Sequence, residues 1–125
     1  MMQMKTKVAI PTDDGLTISA HFGQAHFFKI VTLEEGNIES AEIREKAVHQ
    51  HGQMPAEGGH PGQRMIESIA DCQVLISGGM GSPVYQRAVN AGLQVILTRT
   101  QDIDTAVAAF QAGSLQNDPQ LVHMH

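Results

Sequence analysis

Apolar residues in this chain come in short runs separated by turn formers, and the spacing within each run identifies its element. Val8-Ala9-Ile10, framed by Lys7 and Pro11 and followed by Asp13-Asp14-Gly15, is continuous and rich in β-formers. That pattern predicts a buried strand ending in a turn. Phe27-Phe28-Lys29-Ile30-Val31-Thr32-Leu33 predicts a second strand, stopped by Glu35-Gly36-Asn37. Residues Ile38 to Lys46 carry both strand and helix features, and the intervening Glu-Gly-Asn decides for a third strand joined by a hairpin. From Ala47 to Gly62 the apolar period disappears. The four Gly and two Pro of that stretch predict a loop in which little burial offsets the entropy of ordering.

Period 3.6 then takes over. Met65, Ile66, Ile69 and Ala70 form a helical stripe within Gln63 to Ala70. Val74-Leu75-Ile76 is a continuous buried strand, and Ser77-Gly78-Gly79-Met80-Gly81-Ser82-Pro83 is a glycine-rich turn. A helix is expected from Pro83 to Ala91, with Ser82 as its cap, Pro83 in first position and Gly92 ending it. Val95-Ile96-Leu97 predicts another buried strand. A last helix starts near Asp102 to Asp104, carries Ile103, Val107, Ala108 and Phe110, and stops at Gly113. Residues 116–125 read as a tail. Continuous apolar strands alternating with helices imply a parallel sheet covered on both faces, to which the opening meander adds antiparallel strands. The expectation is one mixed, three-layer α/β domain over residues 1–125, with its core at about 6–115.

Composition narrows the function. The 125 residues suit a single domain, and 42% hydrophobic against 17% charged residues is globular composition. Aromatics make up 4% and Trp is absent, so the core is aliphatic. A single cysteine excludes an intramolecular disulfide and any metal site built from several of the chain's own thiolates. No apolar run approaches the roughly 18 residues that span a bilayer, and no signal pattern opens the chain, so no membrane association and a cytoplasmic location are expected. A formal net charge of −5 argues against a nucleic-acid partner, which calls for a basic patch. The seven histidines nearly match the eight Lys and Arg, which puts metal chemistry in view.

Four segments carry a more specific signal: Val8-Ala9-Ile10-Pro11-Thr12, Ser19-Ala20-His21-Phe22-Gly23-Gln24-Ala25, Ser77-Gly78-Gly79-Met80-Gly81 and Ala88-Val89-Asn90-Ala91-Gly92-Leu93. In this order they resemble the dinitrogenase iron–molybdenum cofactor biosynthesis family, across nearly all of residues 6–115. The resemblance implies a ribonuclease-H-like fold with a five-stranded mixed sheet. It also implies a small accessory or carrier domain that holds a preassembled iron–sulfur or iron–molybdenum cluster and exchanges it with donor and acceptor proteins.

His21 matches the histidine of the family's Ser-x-His-Phe-Gly motif, implicated there as a cluster ligand; Gly23 closes that motif. A neutral imidazole fills one iron position and leaves again, as a carrier requires. His49 and His51 share a face if extended, and with His60 they are candidate additional metal ligands should their loop close over a cluster at His21. Met54 is a weaker soft donor in the same loop. His26 precedes the second strand, where an exposed, non-ligating histidine is the ordinary reading. Cys72 reads as a small buried hydrophobe.

Ser77, Gly78, Gly79 and Gly81 lie between the end of a parallel strand and a helix, where α/β sheets bind ligands and backbone N–H groups favour anions. The turn has neither the Lys-Ser/Thr of a P-loop nor a Gly-x-Gly-x-x-Gly pattern, which disfavours nucleotides. Metal-dependent nuclease chemistry needs clustered carboxylates on the strands, and only Asp13 and Asp14 lie near one. No nucleophile–base pair stands out, so the expectation is a non-enzymatic cluster-binding domain. The alternative is an interaction or regulatory module of the same fold that binds no cluster.

Overall fold

The computed structural model describes residues 5–20, 25–34, 37–45 and 66–123. β1 (Lys5–Thr12), β2 (Phe27–Glu34) and β3 (Asn37–Glu45) form an antiparallel meander. β4 (Val74–Ser77) and β6 (Gln94–Leu97) add parallel strands on the far side of β1, giving a five-stranded mixed sheet in the order β3-β2-β1-β4-β6. This is the expected sheet, and it is consistent with a ribonuclease-H-like motif. β1 extends through Pro11 to Thr12. Pro11 is tolerated because β1 pairs with β4 only at Val8 and Ala9, so no parallel ladder needs the missing N–H.

Period-2 alternation divides the apolar side chains between two cores. Ala9, Phe28, Ile30, Leu75, Val95 and Leu97 face one side, where Ile66, Ile69 and the helix α1 (Ser82–Asn90) cover them. Val8, Ile10, Val31, Leu33, Val74, Ile76 and Ile96 face the other, under α2 (Ile103–Gln111). Phe28, Ile10, Leu75, Ile76 and Leu97 are completely buried. Of the expected 63–70 helix, Ile66 and Glu67 are helical, and the chain then leaves the helix through turns in which Ile69 N–H donates to Ile66 O and Cys72 N–H to Ile69 O.

α1 begins one residue earlier than its sequence suggests. Its N-cap is Gly81, in extended conformation and without a side-chain hydrogen bond, so Ser82 is already helical. Its other end is as expected: Gly92, at φ +92°, reverses the chain after Ala91. In α2 the Asp102 carboxylate caps the first turn, accepting from Thr105 N–H at 2.9 Å and Thr105 Oγ1 at 2.7 Å.

β3 is an exposed edge. Ile38 and Ile43 are each more than half accessible. The strand is tied down by Arg44, whose guanidinium reaches Asp71 at 2.9 Å and Ser68 O at 3.0 Å, while Lys7 joins the same carboxylate at 3.2 Å.

The segment expected as a tail is instead a strap over the carboxyl ends of the strands. Asn117 Oδ1 accepts from Leu97 N–H at 2.8 Å, and Asp118 N–H donates to Leu97 O at 2.8 Å. A 3₁₀ turn (Pro119–Leu121) then leads into β7 (Val122–His123), which pairs in parallel with β5 (Met80–Gly81). Leu121 and Val122 pack on the α1-side core.

Candidate functional site at the carboxyl edge of the sheet

β1 and β4 are parallel neighbours whose chains leave in opposite directions, β1 toward β2 and β4 toward β6. Their carboxyl ends therefore flank a topological switch point, the usual ligand crevice of open α/β sheets. Two loops meet there: the one that follows β1 and the Ser77–Gly81 turn.

Their contact is tight. Gly78 N–H donates to Ser19 O at 3.1 Å, and Ser19 N–H to Pro11 O at 2.8 Å. A Cβ placed on Gly78 would lie 2.6 Å from Ser19 O and 2.8 Å from Ala20 Cα, both backbone atoms. Gly78 is thus glycine because another main chain occupies the space of a side chain. Ser19 and Ala20 open the Ser-x-His-Phe-Gly segment, so two motifs distant in sequence meet at this one contact.

The loop after β1 is built by its own polar side chains. The Thr12 hydroxyl, fully buried, donates to Thr17 O at 2.6 Å and accepts from Gly15 N–H at 2.9 Å. Asp14 Oδ1 accepts from Leu16 N–H and Thr17 N–H, each at 2.8 Å. Those two backbone donors hold its carboxyl down at about 2. Asp13 accepts from His26 at both its backbone N–H (2.9 Å) and Nδ1 (2.7 Å), clasping the two ends of the loop. Further bonds, Ile18 N–H to Gln101 O and Ile103 N–H to Leu16 O, stitch the loop to the start of α2. The two aspartates read from sequence as turn formers therefore shape the loop, which removes them from the carboxylate cluster a nuclease would need.

Ser77, Gly78, Gly79 and Gly81 lie in the one turn after β4, with distinct local roles. Ser77 is completely buried; its Oγ lies 3.2 Å from Gly79 O and accepts a longer bond from Gly79 N–H at 3.4 Å. The amides of Gly78 and Gly79 thus serve the fold. Gly81 opens α1, whose first turn contains neither a side-chain cap nor an acidic residue, a polarity favourable to anions. Beside the turn, at the end of β6, Thr98, Arg99, Thr100, Asn117 and Asp118 line an open polar cleft of about 340 Å³.

His21, Gly23, His49, His51, His60 and Met54 lie outside the described residues. Among the described residues, no three His, Cys, Asp or Glu side chains converge on a metal position. Cys72 is buried in the α1-side core, and burial pushes its thiol up to about 11, the opposite of an activated nucleophile. Sequence reasoning missed the Asp13–His26 clasp and the Asn117 anchor. Asp13 sits in a visible turn signal, but its partner lies across a loop whose closure no local pattern encodes.

Comparison with known proteins agrees with this fold. The family model described as dinitrogenase iron-molybdenum cofactor matches residues 4–113. The uncharacterized protein MJ0580 of Methanocaldococcus jannaschii is 28% identical over 112 residues, covering 88% of this chain and 89% of its own. Among solved structures, the apo orange protein of Desulfovibrio gigas superposes with a TM-score of 0.71 at 20% identity, covering 94% of this chain and 96% of its own. MJ0327 of the same Methanocaldococcus superposes with a TM-score of 0.68 at 19% identity, covering 94% and 97%. At these identities the structural likeness concerns the fold.

Proposed function

Because the chain belongs to the dinitrogenase iron–molybdenum cofactor family, we propose that it is a non-enzymatic carrier of an iron–sulfur or iron–molybdenum cluster, or of a cluster precursor, which it takes from one protein and passes to another. The observation that supports this most is the Gly78 contact, which seats the start of the histidine motif on the glycine-rich turn at the switch point.

In this reading His21 is the primary ligand. Gly23 gives its motif the freedom to turn, and His49, His51 and His60 are additional ligands from their loop. Ser77, Gly78 and Gly79 hold the shape of the site, and Gly81 opens a helix end suited to an anionic cluster. Imidazole ligation without a thiolate cage suits a cargo that must leave again, because neutral nitrogen donors bind iron reversibly.

The test is anaerobic reconstitution with ferrous iron and sulfide, followed by iron content and visible absorbance. Wild-type protein is expected to gain both. His21→Ala is expected to lose them while its melting temperature changes by no more than about 1 kcal/mol of stability allows. Equal iron content in the two proteins would overturn the His21 assignment. A wild-type protein that stays colourless with this mixture and with a preassembled cluster would overturn the carrier function in favour of an interaction module.

A further inference from the structure

The polar cleft at the end of β6 takes no part in the carrier reading. Its walls come from two segments: Thr98, Arg99 and Thr100 follow β6, and Gln116, Asn117 and Asp118 belong to the strap. The strap residues lie beyond 4–113, the part of the chain that the family model matches, so the family assignment does not account for this cleft. Its volume of about 340 Å³ falls at the small end of the roughly 300–1,000 Å³ usual for small-molecule sites.

The two walls are fixed to each other. Leu97 N–H donates to Asn117 Oδ1, and Asp118 N–H donates to Leu97 O, each at 2.8 Å. Thr98 N–H donates to Ser77 O at 2.9 Å, which ties the β6 wall to the end of β4. Within this frame the acceptors are occupied. Asp118 Oδ1 accepts from Gln120 N–H at 3.0 Å, and its Oδ2 lies 3.2 Å from Arg99 Nε. Asn117 spends its oxygen on Leu97. Thr98 is only 7% exposed, and its hydroxyl oxygen accepts from Thr100 N–H at 3.1 Å. The donors are not occupied. Among the described residues, the Thr98 and Thr100 hydroxyl protons, the Asn117 amino group and the two Nη groups of Arg99 have no acceptor. Both walls therefore carry unspent N–H and O–H donors, one of them nearly buried.

We propose that this cleft binds a tetrahedral oxyanion of the phosphate class, free or as the end group of a small phosphomonoester. Arg99 is its principal contact and Asp118 a positioning residue. By pairing with Nε, Asp118 orients the planar guanidinium and leaves the two Nη groups for a bidentate contact. A tetrahedral anion presents oxygens to both walls at once, whereas a carboxylate has two oxygens in one plane. The assignment does not depend on the carrier reading.

The experiment titrates the full chain with sodium phosphate, glycerol 2-phosphate and sodium acetate at constant ionic strength, followed by calorimetry and by amide NMR shifts. Both phosphates are expected to give saturable shifts at Thr98, Thr100 and Asn117, with acetate roughly tenfold weaker. Tighter binding of glycerol 2-phosphate identifies an ester as the source of the anion; tighter binding of inorganic phosphate identifies the free ion. Arg99→Gln is expected to weaken binding roughly tenfold at an unchanged melting temperature. Arg99→Lys keeps the charge but not the fork, and is expected to resemble Arg99→Gln more than wild type. Equal affinity in Arg99→Lys and wild type would show an adventitious ion only, drawn by charge, and would overturn the proposal. Acetate binding as tightly as phosphate would overturn the tetrahedral class, and no saturable binding to wild type would overturn the site itself.

Discussion

Replacing Gly78 by alanine tests the geometry of the site most directly. The new methyl group would meet Ser19 O at 2.6 Å, Ala20 Cα at 2.8 Å and the Ser19 carbonyl carbon at 3.2 Å. None of these atoms belongs to a flexible side chain, so two backbones must separate. Forcing a methyl into a packed interior costs roughly 1–3 kcal/mol. Separation also stretches the Gly78 N–H to Ser19 O bond, a loss of about 1 kcal/mol. Together these predict about 2–4 kcal/mol, a large fraction of the roughly 5–15 kcal/mol typical of a domain. For a chain of 125 residues that is a fall in melting temperature of roughly 6–20 °C. Gly81→Ala is the matched control: it lies in the same turn, its nearest neighbour would be Pro83 Cδ at 3.8 Å, and its φ is −71°. It is expected to be nearly neutral in stability. Thermal melts and urea titrations of both variants measure the difference. Stabilities within about 0.5 kcal/mol of each other would refute the close approach of the two loops.

Other expectations follow from the charged and titratable groups. Asp71 is held well below the usual carboxylate range, first by its hydrogen bond with Arg44 and next, against burial, by Lys7. Its folded-state value lies below its unfolded one, so its stabilisation is fully present above about pH 4 and is lost as pH falls further. Asp71→Asn is expected to cost about 1 kcal/mol at pH 7, since the carboxylate is partly exposed and screened, and less at pH 2; an equal cost at both, by urea melts, would contradict the ion-pair account. The Cys72 thiol, raised by burial to about 11, is expected to resist an aromatic disulfide reagent at pH 8 and to react fully in urea. Fast reaction of the native protein would show that the thiol is accessible.

How much of this was legible in advance depended on whether a feature is local. β1, β2, β4 and β6 announced themselves as apolar runs, and their alternation implied a sheet with two covered faces. β3 was recognisable only through its hairpin, because its side chains are almost all exposed and its own pattern is ambiguous. Gly92 and Gly113 were readable as helix stops, and both have positive φ. The glycine-rich turn was readable as a place for a ligand, but not the reason for Gly78, which lies in a main chain nearly sixty residues earlier. The strap was invisible for the same reason. Asn117 and Asp118 look like an ordinary polar loop until Leu97 is set beside them. Motif resemblance picked out the histidine segment and the turn in their order along the chain, but their contact is visible only in the fold.

The position of β1 at the centre of the sheet also bears on how the molecule is made. Its pairing with β2 joins neighbours in the chain, whereas its pairing with β4 joins Val8 to Val74 across the meander and the whole intervening segment. The entropy of loop closure therefore falls mainly on the parallel pair, and contacts of such high sequence separation slow folding. A hairpin of β1, β2 and β3 needs none of that closure. The Gly78 contact does, because it spans the same gap. During synthesis, a chain that has emerged only as far as β3 contains the histidine motif but has no turn to seat it. The crevice at the carboxyl edge is thus absent from every partly folded form that lacks the central parallel pair.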